Sequence, residues 1–231
     1  MVFAALAYDT FKYSEQEQAL RKLLSLQKDE SDLATTLYYL STCLYRQMRV
    51  DEANEYIIQA LHKARSICGG RNPLVADILN STGNFKRIQA GKVRNSERAL
   101  TLFNEAQGDL VESLTIRQEL FGLEHPETAR SYHNLGRLYL SQKQYVQAEE
   151  YLTRALNIRQ KSYDKGNRLT AETRLYLGIS QLYQGRLLTG SSTIISGIMA
   201  VPVTILTLGI RHLPILYDRM VHHSNGFFVL F

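Results

Sequence analysis

The chain aligns with itself. Alanine recurs at Ala34, Ala76, Ala129 and Ala171, at spacings of 42, 53 and 42 residues. Downstream of each alanine a pair with a small second member repeats, as Leu40-Ser41, Thr82-Gly83, Leu135-Gly136 and Leu177-Gly178. Three further columns keep the same register: Ala53, Ala106, Ala148 and Gly190; then Ile57, Leu110, Leu152 and Ile194; then Ala60, Ser113, Ala155 and Gly197. Two antiparallel helices approach closely only where a small residue removes bulk, and large apolar side chains fill the gaps between such points. The columns therefore predict a series of helical hairpins. A lone hairpin cannot bury its apolar face, so the hairpins have to stack on one another.

The one irregular spacing is informative. The step from Ala53 to Ala106 is 53 residues, like that from Ala76 to Ala129, so the eleven additional residues lie between the two helices of the second hairpin. Eleven residues make about three helical turns, which would lengthen that hairpin while keeping its buried face in phase. Two second helices also share a string, Leu114-Thr-Ile-Arg-Gln118 and Leu156-Asn-Ile-Arg-Gln160, offset by 42 residues. Punctuation fits this division: Pro73 and Pro126 stand at first helical positions, with Asn72 and Asn167 as N-caps. Ser14-Glu-Gln-Glu17 opens an additional N-terminal helix carrying Leu20, Leu23 and Leu24. The expected organisation is a capping helix in 1–30, four repeats in 31–202 (about 34–66, 76–121, 129–163 and 171–202), and an apolar tail of unassigned role in 203–231.

The passage Gly122, His125, Pro126 and Ala129, spaced as G-x-x-H-P-x-x-A, together with Asn134-Leu135 and the 42-residue period, resembles the longer tetratricopeptide repeats of kinesin light chains and related scaffold proteins. The resemblance implies an all-α solenoid of helical hairpins wound as a right-handed superhelix. It also implies a non-enzymatic scaffold whose inner surface binds an extended peptide or a partner protein. Repeat 4 departs from the pattern, placing Arg174 and Gln181 where repeat 3 is apolar or aromatic, and no heptad coiled coil precedes the repeats.

In such an architecture the first helix of each hairpin lines the concave wall. The register nominates Tyr38, Thr42, Tyr45 and Arg46 from repeat 1, Asn80, Asn84 and Arg87 from repeat 2, and Arg130, His133, Asn134 and Arg137 from repeat 3. Asparagine can clamp the backbone of an extended peptide, tyrosine offers apolar area with a polar tip, and arginine grips carboxylates bidentately. The expected partner is a protein or peptide, acidic and with apolar anchors. The paired Lys and Asn of a chaperone-type carboxylate clamp are absent from the first inner helix, which carries Tyr38 and Thr42 in those places.

Composition narrows the classes. A formal charge of +5 with 45% hydrophobic residues is too modest and dispersed to imply nucleic acid, although a nucleic-acid-binding helical repeat stays an alternative. One cluster stands apart: Lys86, Arg87, Lys92, Arg94 and Arg98 against the single acid Glu97. No phosphate loop, nucleophile elbow or zinc-binding helix motif occurs, so no enzyme, small-molecule substrate, catalytic residue or cofactor is expected. Cys43 and Cys68 lack metal-ligand spacing, so no metal site is expected, and a cytoplasmic location is the default.

Residues 187–210 admit two readings. The stretch is uncharged between Arg186 and Arg211, which is long enough for a membrane anchor of a tail-anchored adaptor. Its Gly190, Ile194 and Gly197 also fit the small-large-small column of a second repeat helix ending before Pro202, and this reading is favoured because it accounts for individual positions.

Overall fold

A computed structural model describes residues 2–26, 30–164 and 166–199 of the chain. Among the described residues there are nine helices and no strand: α1 (Val2–Leu26), α2 (Glu30–Arg46), α3 (Val50–Cys68), α4 (Pro73–Lys92), α5 (Ser96–Phe121), α6 (Pro126–Ser141), α7 (Tyr145–Ser162), α8 (Arg168–Tyr183) and α9 (Leu187–Met199). They divide between two compact units, Met1–Ser162 and Tyr163–Phe231.

In the first unit α2 pairs with α3, α4 with α5 and α6 with α7, and each hairpin packs on the next, giving a helical-hairpin solenoid. The repeated columns form its core. Ala34, Ala76 and Ala129 are buried, as are Ala53, Ala106 and Ala148, then Ile57, Leu110 and Leu152, then Ala60, Ser113 and Ala155. The glycines mark the closest helix approaches: a Cβ on Gly83 would lie 2.7 Å from Leu110 Cγ, and one on Gly136 2.6 Å from Leu152 Cγ. Ser113 is the polar member of its column, and its hydroxyl donates to the Ala76 carbonyl at 2.8 Å across helices. The shared string also has a physical basis, because Ile116 and Arg117 are buried in the same way as Ile158 and Arg159.

Helix ends follow local chemistry. Asn72 and Asn167 accept from the main-chain N–H of Leu74 and Leu169, while His125 caps α6 through Nδ1, which accepts from Glu127 N–H at 3.1 Å. The histidine of the His-Pro opening is thus a helix cap, and its ring stacks on Phe121 at 4.8 Å. Such a cap contributes about 1 kcal/mol. At the far end of α2 and of α6 the chain closes a Schellman turn: Arg49 N–H donates to Leu44 O and Met48 N–H to Tyr45 O, as Gln144 donates to Tyr139 O and Lys143 to Leu140 O. The turn requires a left-handed residue, and Met48 (φ 66°) and Lys143 (φ 61°) take it without being glycine.

The additional residues of the second hairpin lengthen both of its helices. Helix α4 runs nine residues past Gly83, where α2 and α6 run five past Ser41 and Gly136. Helix α5 begins ten residues before Ala106, where α3 and α7 begin three before Ala53 and Ala148.

The second unit holds the hairpin of α8 and α9. A Cβ on Gly178 would meet Ile194 Cγ1 at 2.5 Å and the Gly190 carbonyl at 2.8 Å, so the helices touch backbone to backbone. Gln181, in a column that is aromatic in repeat 3, is buried, and its Oε1 accepts from the Thr193 hydroxyl at 3.0 Å. Of the 187–210 stretch, residues 187–199 form α9; residues 200–210, and with them the rest of the anchor reading and the tail 203–231, lie outside the described residues, as does the burial of Gly197. No helix among the described residues is long and apolar enough to cross a membrane.

Candidate functional site

Helices α2, α4 and α6 lie side by side in the first unit, so the residues nominated from them share one wall. Side-chain rungs join the three helices. Between α2 and α4, Tyr45 stacks on Phe85 with centroids 3.7 Å apart and rings 5° from parallel, and the Tyr38 hydroxyl lies 3.1 Å from Ser81 Oγ. Between α4 and α6, Asn134 Nδ2 donates to Asn80 Oδ1 at 2.7 Å, and Arg87 Nη1 donates to Ser141 Oγ at 3.3 Å. Burial pushes the Tyr45 hydroxyl up to about 12 and raises that of Tyr38.

The nominated residues therefore fall into two groups. Asn80, His133 and Asn134 are 8%, 4% and 6% exposed, and Asn80 and Asn134 are bonded to each other between α4 and α6. Asn84 bridges the groups: its Nδ2 donates to the Asn80 carbonyl, while the residue stays half-buried. Tyr38, Thr42, Tyr45, Arg87, Arg130 and Arg137 are half-buried, with part of each side chain reaching solvent, and Arg46 is exposed. Thr42 turns its hydroxyl to the Tyr39 carbonyl, and Arg46 donates to the Tyr13 hydroxyl at 2.7 Å, which fastens α1 to the end of α2.

Toward the start of α6 the wall carries an ion cluster that the sequence reading missed. Asp77 accepts from Arg117 Nη2 at 2.6 Å and also pairs with Arg130, which reaches Glu127 at 2.7 Å. Arg117, only 1% exposed, donates through Nη1 to Ser131 Oγ at 2.6 Å. Burial lowers the Arg117 pKa, and the Arg130 charge lowers it further; Asp77 and Glu127 oppose this. A signal for this cluster did exist: Asp77 and Arg130 follow Ala76 and Ala129 directly and so occupy equivalent places on neighbouring helices. Tyr39 and Ser81 were also missed, and Tyr39 is 49% exposed.

Among the described residues no three His, Cys, Asp or Glu side chains group as metal ligands would. The tetratricopeptide-repeat family model matches residues 95–161, which span α5, α6 and α7. That segment is a tetratricopeptide-repeat segment, and the chain has the tetratricopeptide-type helical-hairpin solenoid fold. Solved structures of similar repeat proteins extend the likeness beyond that segment. BtubC (BKLC) from P. vanneervenii superposes with a TM-score of 0.67 at 21% identity, over 95% of this chain and 79% of that one. A putative kinesin light chain of Podosopora anserina with nearly identical TPR-like repeats gives 0.61 at 15% identity, over 96% and 95%. Pseudomonas aeruginosa pilF gives 0.59 at 21%, over 95% and 84%. At these identities the likeness is one of fold. No curated protein matches the chain by sequence. In tetratricopeptide terms α2, α4 and α6 are the first helices of their repeats, and the wall described above is the face they share.

Proposed function

We propose that this chain is a non-enzymatic scaffold for protein–protein interaction, and that it holds an extended, acidic segment of a partner against the wall of α2, α4 and α6. The observation that supports this reading is the arrangement of that wall: partly exposed Tyr38, Thr42, Asn84, Arg87 and Arg137 stand on helices already tied together by buried rungs. A surface fixed before binding loses little conformational entropy when a peptide docks. Its arginines offer planar forks for carboxylates, while the tyrosine rings provide apolar area beside them.

The test is a selection from a displayed peptide library followed by calorimetry on the enriched sequences. Acidic peptides with apolar anchors should emerge, and the Asn84→Ala/Arg137→Ala variant should bind them about tenfold more weakly while its thermal unfolding changes little. Unaltered affinity in that variant would remove the wall as the binding surface. Enrichment for oligonucleotides in a parallel selection, with steep salt dependence, would favour the nucleic-acid alternative instead.

A further inference from the structure

The five-residue basic cluster of the second repeat is split by the fold into two parts with different work. Lys86 faces α5, where it pairs with Glu105 at 3.2 Å and Asp109 at 2.9 Å, and Arg87 reaches across to Ser141 on the wall. The other three, Lys92, Arg94 and Arg98, are exposed, and among the described residues none of them makes an ion pair. Lys92 ends α4, Arg94 sits in the connection, and Arg98 is in the first turn of α5. These are the segments that the eleven additional residues create.

The hairpin geometry turns that local excess of charge into a projection. With four more residues on α4 and seven more on α5 than their neighbours have, the tip extends about 6–10 Å beyond the Met48 and Lys143 turns at 1.5 Å per residue. The connection also differs in kind. Helices α2 and α6 end in left-handed turns, whereas α4 ends on Val93 in an extended conformation (φ −79°, ψ 127°), and Asn95 caps α5 by accepting from Arg98 N–H. Of the extended residues, Ala90 is buried and Leu102 and Phe103 are partly covered, Phe103 against the apolar cluster that α5 shares with α6. Nothing in the packing of the repeats needs the three cations.

We propose that this projecting tip is a second docking point, distinct from the α2–α4–α6 wall, and that it takes a short acidic segment of a partner protein. Three cations within seven residues, two of them arginine forks, match a few neighbouring carboxylates. A long polyanion fits less well. Glu97 lies between Arg94 and Arg98 in sequence, and Glu105 and Glu112 follow along the exposed part of α5, so a phosphate backbone laid along the hairpin would meet carboxylates. Three basic residues also fall short of the roughly 6–10 phosphate contacts of a nucleic-acid binder, and on an anionic membrane they would supply only marginal attraction. Leu100, 58% exposed on the same projecting turns of α5, offers apolar area that a protein segment can cover and a phosphate backbone would leave in water.

The experiment measures fluorescence anisotropy with a labelled Glu/Asp-rich peptide containing leucine, alongside a labelled DNA oligonucleotide and phosphatidylserine vesicles. The full chain is compared with its Lys92→Gln/Arg94→Gln/Arg98→Gln variant and with the Asn84→Ala/Arg137→Ala wall variant. We expect peptide affinity to fall about tenfold in the tip variant, the combined effect of three exposed charge pairs, and its salt dependence to weaken there. Should circular dichroism show the triple variant misfolded, Arg94→Gln alone, in the connection, carries the same comparison with a smaller drop. Equal peptide binding by wild type and tip variant would overturn the proposal. So would a loss confined to the wall variant, or preferential binding of the oligonucleotide or the vesicles through the tip.

Discussion

Asn134 on α6 donates its side-chain amide to the side-chain oxygen of Asn80 on α4, at 2.7 Å, with both residues closed off from solvent. The pair is a buried polar rung between neighbouring inner helices. Replacing Asn134 by Ala leaves Asn80 Oδ1 without its partner, so we expect a loss of about 1–3 kcal/mol in urea unfolding. A double-mutant cycle with Asn80→Ala should show coupling, because the second replacement removes a group already orphaned. Additive effects would mean that the bond contributes nothing. Asn134 is for this reason unsuited as a neutral probe of ligand binding, whereas half-buried Asn84 and Arg137 suit that purpose.

Glycine-to-alanine exchanges should change sign with position. At Gly136 the new Cβ would sit 2.6 Å from Leu152 Cγ and 3.3 Å from the Ala148 carbonyl, and the helices must separate to admit it, at about 1–3 kcal/mol. At Gly108, inside α5, nothing lies within 4 Å of the added atom, and helix propensity should stabilise the chain by roughly 0.5–1 kcal/mol. Thermal melts of the two variants against wild type check both signs at once.

The cluster around Arg117 predicts an asymmetry between two removals. Asp77→Ala takes the best-placed counter-charge from a guanidinium that is almost wholly buried, and should cost about 3 kcal/mol, the lower end for a broken buried pair because Asp77 itself is one-third exposed. Arg117→Met removes the buried charge and keeps most of the volume, so it should cost less. Chemical denaturation that ranks Arg117→Met as the more damaging would contradict this account of the cluster.

Glu17 gives the fold an acid-sensitive joint. Burial acts to raise its pKa, but hydrogen bonds from Arg21, Gln47 and Arg49 outweigh that, and the folded carboxyl titrates below its ordinary value. A carboxyl lowered in the folded state stabilises it at pH values above the unfolded pKa of about 4.3, and that contribution is lost as the pH falls through the lower folded value. Hydrogen exchange should therefore show α1 loosening from α2 on acidification, before the hairpins themselves open. In Glu17→Gln the amides of α1 should exchange faster at neutral pH, with little further change in acid.

The repeat columns were legible because hairpin packing is nearly local: each small residue meets a partner one helix away, at an offset repeated three or four times, so Ala53, Ala106 and Ala148 announce each other. The caps at Asn72 and Asn167 were legible for the same reason, since an asparagine side chain bonds a backbone amide two residues on. The length of the second hairpin followed from arithmetic on the spacing. What needed the tertiary structure was which wall residues would be covered. Asn80 and Asn134 are 54 residues apart and both polar, and only the approach of α4 to α6 makes them a buried pair instead of two open amides. Arg117 reads as a surface arginine until α4 and α6 bring Asp77, Glu127 and Ser131 around it. Helical periodicity sets the direction in which a side chain leaves its own helix, whereas its exposure depends on how closely the next helix lies against that side, and that distance is fixed by packing summed over the whole interface.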